Sequence, residues 1–348
     1  MNEKPKDKKE GILLKKTDYS FESEGVLNPA VIKDNKIIHL FYRAVAKGNF
    51  SSIGYCQLSD PLHIENRKDV PILIPEYDYE KQGMEDPRLV KIDNLFYLTY
   101  TAYDGINALG ALATSTDLKT WKKAGVIVPR ITYEDFKHLS EDKDNLNEKY
   151  IRYNQFQISH QTDTSSVYLW SKNLVFFPRR INGNLYFLHR IRPGIQMVTG
   201  IKNLKALTLD FWKDYFLHFK DHIVLSPIYA HEISYIGSGC PPIETPEGWL
   251  IIYHGVYDSI EGYVYTACAA LLDLENPKKE IARLPYPLFQ PEKKWELKGE
   301  VNNVCFPTGA LVENDILYIY YGAADQRIAV VSVKLSELIK ELLQYSSL

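Results

Sequence analysis

The sequence has 348 residues, with 45% apolar and 24% charged residues and a formal net charge of −3. That length carries one large or two ordinary domains with a full core, and the composition is ordinary for a water-soluble globular protein. One short basic block, the N-terminal KPKDKKE, and the lack of any run of 18 apolar residues leave a nucleic-acid partner and a membrane span without support.

Taken in chain order, residues 1–20 read as a flexible, charged extension. Residues 21–348 read as one catalytic domain. No apolar leader follows Met1, which predicts a cytoplasmic location. Five segments then share one pattern: a proline, an apolar strand, a turn with Asn, Asp or Gly, and an aromatic strand. They are LNPAVIKDNKIIHLFYRAV, MEDPRLVKIDNLFYLTYTAY, VFFPRRINGNLYFLHRI, GCPPIETPEGWLIIYHGV and CFPTGALVENDILYIYYGAAD. The prolines are Pro29, Pro87, Pro178, Pro242 and Pro307, and the aromatic strands end on Tyr42, Tyr100, His189, Tyr253 and Tyr320. Further strands follow in most copies, such as SSIGYCQLSD and ALGALATSTDLKTW. Helical spacing marks an insert after the second copy (TYEDFKHLSEDKDNLNEKYIRYNQF), a run after the third (LKALTLDFWKDYFLHFKDH) and the C terminus. These elements predict an all-β fold, a five-bladed β-propeller with helical inserts and a C-terminal helix, against an open sandwich.

In such a propeller the residues beside the prolines and at the aromatic strand ends converge on one funnel. The first group is Asn28, Glu85, Asp86, Arg88, Gly239 and Thr308. The second is Arg43, Tyr103, Asp104, His189, Arg190, His254 and Asp325. With 25 Tyr, 14 Phe and 5 Trp, the chain has ample amphipathic surface for sugar faces. Carboxylates in an aromatic funnel suit glycosidic cleavage, with Asp86 as the acid, its pKa raised by Glu85 or by burial. Arg88 reads as a sugar or carboxylate ligand, or as a partner of Glu85. His254, Asp104 and Asp325 read as substrate contacts, or as a core histidine and turn acids. The four cysteines lack CxxC spacing and the nine histidines lack HxxxH or HExxH, which predicts no metal or cofactor, and Cys56, Cys268 and Cys305, in apolar strand-like runs, read as buried free thiols.

Several of these motifs, in this order, resemble glycoside hydrolase family 130, the β-mannoside phosphorylases and mannosidases. They are NPAVIKDNKIIHLFYRA, GMEDPRLVKIDNLFYLTYTAYDG, FFPRRINGNLYFLHR, IGSGCPPIETPEGWLIIYHGV, AALLDLENP and YIYYGAAD. The resemblance implies a five-bladed propeller and an inverting mechanism with Asp86 as general acid, its proton passing through the mannose 3-hydroxyl. It also implies a mannose subsite drawing on Asn28, Arg43, Asp104, His254 and Asp325. In the family's phosphorylases a His-Arg pair and a Lys before the IGxG motif hold phosphate. Here the pair is His189 and Arg190, with Arg179 and Arg192 nearby, but Tyr235 stands at the Lys position. Loss of that ammonium favours water as nucleophile, and water needs a base, for which Glu232 or Glu261 is nearest. The expectation is therefore an inverting β-mannosidase acting from the non-reducing end of β-linked manno-oligosaccharides, β-1,2-mannosidase-like. Phosphorolysis, with inorganic phosphate as co-substrate and mannose 1-phosphate as product, is the alternative. A non-catalytic sugar-binding propeller is a second alternative, and a furanosidase would want an acid where Asn28 stands. A homo-oligomer is compatible with the sequence.

Overall fold

The computed structural model describes residues 7–140, 146–158 and 166–346. Residues 1–6 of the expected extension and 141–145 of the charged insert lie outside the described residues. The fold is mostly β, in five antiparallel units. The first comprises β2 (Gly25–Asp34), β3 (Ile37–Ala46), β4 (Phe50–Asp60) and β5 (His63–Arg67). The second is β6 (Gly83–Ile92), β7 (Leu95–Tyr103), β8 (Ala108–Ser115) and β9 (Lys122–Val126). A single parallel pair, Ser51 with Gly83, joins these two units into one continuous sheet. The third is β10 (Lys172–Phe176), β11 (Leu185–Arg190), β12 (Ile195–Ile201) and β13 (Ile223–Leu225). In the fourth, β14 (Tyr235–Ser238) and β15 (Ile243–Thr245) pair with β16 (Gly248–Ser259), followed by β17 (Gly262–Leu272) and β18 (Glu280–Arg283).

The fifth unit corrects the reading of the N terminus. Its strands β19 (Cys305–Glu313), β20 (Ile316–Ala323) and β21 (Arg327–Lys334) are completed by β1 (Lys8–Leu14), which pairs antiparallel with β21. Residues 8–14 are thus an integral edge strand rather than a free extension. The helical expectations hold: α1 (Tyr133–Ser140) and α2 (Lys149–Ile158) precede the third unit, and α3 (Leu209–Leu217) lies inside it. Thr208 caps α3 by accepting from the Phe211 N–H at 3.2 Å, and Phe136 of α1 packs edge-on against Phe216. The short α4 (Lys294–Leu297) precedes the fifth unit, and α5 (Leu335–Gln344) buries Leu338, Ile339 and Leu342 at the C terminus.

Why the aromatic strands end on tyrosine is explained by a repeated buried latch. In four units a fully buried glutamate, in the short helical turn before the first strand, accepts a tyrosine hydroxyl from the second strand and pairs with a cation from the fourth. Glu22 meets Tyr42 at 2.7 Å and Arg67 at 2.7 Å; Glu80 meets Tyr100 at 2.5 Å and Lys123 at 2.6 Å. Glu232 meets Tyr253 at 2.8 Å and Arg283 at 3.2 Å, and Glu296 meets Tyr321 and, at 2.7 Å, Lys9 of β1. All four carboxylates have no exposed surface. Tyr321, not Tyr320, is the fifth unit's member; the Tyr320 hydroxyl instead donates to the Pro61 carbonyl at 2.8 Å. The third unit substitutes His189, whose ring nitrogens meet Ser171 Oγ at 2.9 Å and Tyr215 Oη at 2.8 Å.

Contacts between units run in a closed cycle. Asn28 donates to Asp86, linking the first unit to the second, and Thr99 donates to the Leu174 carbonyl, linking the second to the third. Ile236 N donates to Pro193 O, Cys240 Sγ to Gly309 O, and Thr308 Oγ1 to Pro29 O, which returns to the first unit. Arg88 bridges the second and fourth units, donating to the carbonyls of Gly239 at 3.1 Å and Ser238 at 3.2 Å. The cycle brings the first strands of distant repeats together. All four cysteines are buried free thiols. Among the described residues no helix is long and apolar enough to cross a membrane.

Candidate active site

Three polar residues enter the central cavity by the same backbone device. Asn28, Asp86 and Asn173 have φ of 51°, 51° and 54°, the left-handed region that Asn and Asp tolerate better than other side chains. Each sits where the register between first and second strand slips: Leu27/Ala30, Glu85/Arg88 and Lys172/Val175. Such a bulge leaves the extra residue out of the ladder and re-aims its side chain. The opposing wall must be bare for this to work. A Cβ at Gly322 would lie 2.0 Å from Asn28 Oδ1, and one at Gly237 would lie 2.6 Å from Asn173 Oδ1 and 2.5 Å from the His254 ring.

The cavity measures about 170 Å³. One group of its residues is acidic, gathered around Arg43. That guanidinium reaches Glu85 at 2.8 Å and Asp86 at 3.7 Å, and Ser51 Oγ accepts from its Nε at 2.9 Å. Asn28 Nδ2 donates to Asp86 Oδ1 at 2.7 Å. Burial pushes the Asp86 carboxyl up, but Arg43, Lys172, Arg88 and the Asn28 hydrogen bond together outweigh it, so its pKa lies below the ordinary value. This corrects the expectation of a raised pKa. The carboxyl that is raised is Asp325, to about 6, by burial and then by Asp86 and Glu85 against the opposing pull of Arg43.

A second group is cationic. Arg190 and Arg192 face the Tyr235 ring at 5.4 Å and 4.0 Å, and Tyr235 and Tyr265 share a hydroxyl–hydroxyl hydrogen bond of 2.5 Å. Among the described residues neither arginine has a carboxylate partner, and both Nε atoms are buried without one. Burial and the neighbouring Arg192 lower the Arg190 pKa to about 10, which leaves it charged. Lys172 links the groups, with its ammonium 3.3 Å from Glu85. Behind them His254 is fully buried against Phe306, ring centroids 4.3 Å apart, with both ring nitrogens unpartnered. Burial first, then Arg190, Arg88, Arg192 and Lys172, push its pKa well below the usual value, so the ring is neutral.

Six of the expected site residues serve elsewhere. Arg88 spends its guanidinium on three backbone carbonyls, including Asp86 O at 2.7 Å, and pairs with no acid. Arg179 is held by both carboxylate oxygens of Glu244, at 2.7–2.9 Å, and does not line the cavity. His189 is the buried core histidine of the third unit, its pKa lowered to about 3 by burial. Glu232 is a latch carboxylate with no access to the cavity. The Tyr103 hydroxyl donates to Gly105 O at 2.9 Å, and Asp104 caps a turn by accepting from the N–H groups of Ile106 and Asn107. Glu261, the other base considered, sits at an exposed hairpin tip. One group of possible metal ligands occurs among the described residues, His231, Glu232 and Cys268. Arg283 already supplies its cation.

Lys172, Asn173, Tyr265 and Phe306 are site residues that sequence reasoning did not single out. The third repeat aligned on Pro178 is misplaced: its counterpart of Pro29 and Pro87 is Leu174, and Asn173 corresponds to Asn28 and Asp86. The readable signal is an Asn or Asp before the first strand's apolar run, with or without proline.

The cavity thus sets a buried carboxylate cluster around Arg43 beside two arginines that have no carboxylate partner among the described residues. The profile described as beta-1,4-mannooligosaccharide phosphorylase, of glycoside hydrolase family 130, matches residues 8–344, and the chain belongs to that family. A 1,2-beta-oligomannan phosphorylase of Thermoanaerobacter sp. is 32% identical over 340 residues, 94% of this chain and 96% of the relative. A beta-1,2-mannobiose phosphorylase of the same organism is 33% identical, over 91% of this chain and 92% of the relative. The fold is similar to that of the Listeria innocua beta-1,2-mannobiose phosphorylase in complex with beta-1,2-mannobiose: TM-score 0.68, 22% identity, 92% of each chain.

Proposed function

We propose that this chain is an inverting β-mannoside phosphorylase of β-1,2-linked manno-oligosaccharides, and that its five units are the blades of one propeller around the cavity. The closed cycle of inter-unit contacts supports the second part. The observation that carries the first is the pair of unpartnered arginines, Arg190 and Arg192, in the same cavity as Asp86. The preference for hydrolysis is thereby reversed: the ammonium missing at Tyr235 is offset by Arg192 stacked on that ring, and the expected base, Glu232, is locked in a latch. Two relatives matched over nearly their full length, both phosphorylases of β-1,2-mannosides, favour the same reading.

In this mechanism a phosphate oxygen attacks the anomeric carbon, the glycosidic C–O bond breaks, and the leaving oxygen takes the Asp86 proton. An anionic nucleophile needs no base. The low pKa of Asp86 is then a property of the site without phosphate. A dianion beside Lys172, Arg190 and Arg192 offsets the field that holds the carboxyl ionised, so phosphate binding and protonation of the acid favour each other.

The test is product analysis with β-1,2-mannobiose. Mannose 1-phosphate is expected only when phosphate is added. Free mannose formed as fast without phosphate overturns the proposal in favour of a mannosidase, and no product under either condition favours a sugar-binding protein. Arg192→Gln is expected to raise KM for phosphate about ten- to a hundredfold, the loss of one charge-assisted contact, with KM for the mannoside unchanged. Equal effects on both constants would remove Arg192 from the anion site.

A further inference from the structure

A second cavity, of about 430 Å³, opens beside the second unit. Its size falls within the range of about 300–1,000 Å³ typical of small-molecule sites. One wall is the segment leading into that unit, ending in the turn Asp78–Glu80. The latch at Glu80 anchors this turn and sets Tyr77 and Tyr79 side by side, ring centroids 5.2 Å apart and planes 10° apart. Lys123 lies 5.5 Å from the Tyr77 ring and Arg130 5.5 Å from the Tyr79 ring. The opposite wall is the β7–β8 connection with Asp104 and Asn107, and Tyr168, whose N–H donates to Asn107 Oδ1 at 2.8 Å.

The same connection is linked to the active cavity through Trp170 and Lys172. Its Ile106 carbonyl accepts from Trp170 Nε1 at 2.9 Å, and the Trp170 ring lies 5.5 Å from the Lys172 ammonium and edge-on to Tyr103. Trp170 thus stands between the β7–β8 connection and Lys172, while Tyr168, Tyr79 and Tyr77 line the second cavity on the other side of that connection. Asp104 and Asn107 are engaged within their own wall, but the other polar groups of the cavity are uncommitted. Among the described residues the hydroxyls of Tyr77, Tyr79 and Tyr168, the Asp78 carboxylate and the Arg130 guanidinium have no hydrogen-bond partner. Rigid aromatic faces rimmed by free donors and acceptors suit an uncharged polyhydroxylated chain. The mix of two acids and one arginine suits a phosphorylated ligand less well.

We propose that this cavity is a distal subsite for mannosyl units beyond the cleaved bond, held on the Tyr77–Tyr79 pair. The inference rests on the β-mannoside reading above. Its test compares β-1,2-mannobiose with β-1,2-mannopentaose, with phosphate, for the wild type and Tyr77→Ala/Tyr79→Ala. The double variant keeps its kcat/KM for the disaccharide within about twofold and loses about tenfold on the pentasaccharide, the effect of two stacking faces. Arg130→Ala, at an exposed position, shifts the same ratio in the same direction and serves if the double variant does not fold. Equal losses on both substrates, or none on either, overturn the subsite while leaving the phosphorylase reading intact. Wild-type inactivity on both substrates overturns that reading instead. Calorimetric titration of mannopentaose then decides the subsite alone: binding that the variants do not weaken rules it out.

Discussion

Asp86→Asn is expected to leave a folded protein that turns over β-mannosides at least about a thousandfold more slowly, within the range attributed to a positioned general acid. The substitution is mild in every other respect. Asn tolerates the left-handed backbone at φ 51° as Asp does, and its carbonyl oxygen can still accept from Asn28 Nδ2. Arg43 retains Glu85 at 2.8 Å, so no buried cation loses its last partner. The melting temperature should stay close to that of the wild type, and mannobiose should still bind in calorimetry. Residual turnover within tenfold of the wild type would move the acid elsewhere, with Asp325 the first place to look, since its carboxyl holds a proton to about pH 6.

Glu232→Ala has the opposite signature. It removes a fully buried carboxylate; Arg283 keeps Glu280 at 2.5 Å, so the cost comes from buried donors left without an acceptor, on the order of 2–4 kcal/mol. Backbone N–H groups of Ile228 and Tyr229 also lose their acceptor. A fall in melting temperature on the order of 10 °C is expected, while kcat of the protein that remains folded stays within a few-fold. Tyr253→Phe, which removes one hydroxyl donor, should cost only about 1 kcal/mol. A normal melting temperature combined with lost phosphate-independent turnover would restore Glu232 as a catalytic base.

The difference between Asp86 and Glu232 shows what was readable in the sequence. The place of Asp86 in the cavity is legible because its neighbours repeat: a polar residue, a proline and an apolar strand mark most first strands, and the cycle of contacts makes those positions converge. The strand order, both helical inserts and the C-terminal helix follow from periodicities of two and 3.6. The latch role of Glu232 is not legible, because its partners lie far away in sequence, Arg283 on the fourth strand and Tyr253 on the second. Only the comparison with Glu22, Glu80 and Glu296 shows it to be one copy of a structural element. Lys172 and Asn173 were missed for a different reason. The repeat was registered on proline, whereas the physical constant is the left-handed residue before the strand, and at the third copy the two part company. Arg88 and Arg179 stand near the motifs, but an arginine's five donors go to whatever acceptors the fold supplies, and here those are carbonyls and Glu244.

The pairing of Leu14 with Ile328 also constrains biosynthesis. A nascent chain leaving the ribosome has its first strand long before it has the partner for it, so Lys9 must wait, solvated, until the last hairpin is made. Glu296 is finished before that moment and stays without its cation until the two ends meet. Until the two ends meet, the last sheet has an open edge, a template on which another molecule's strand can pair.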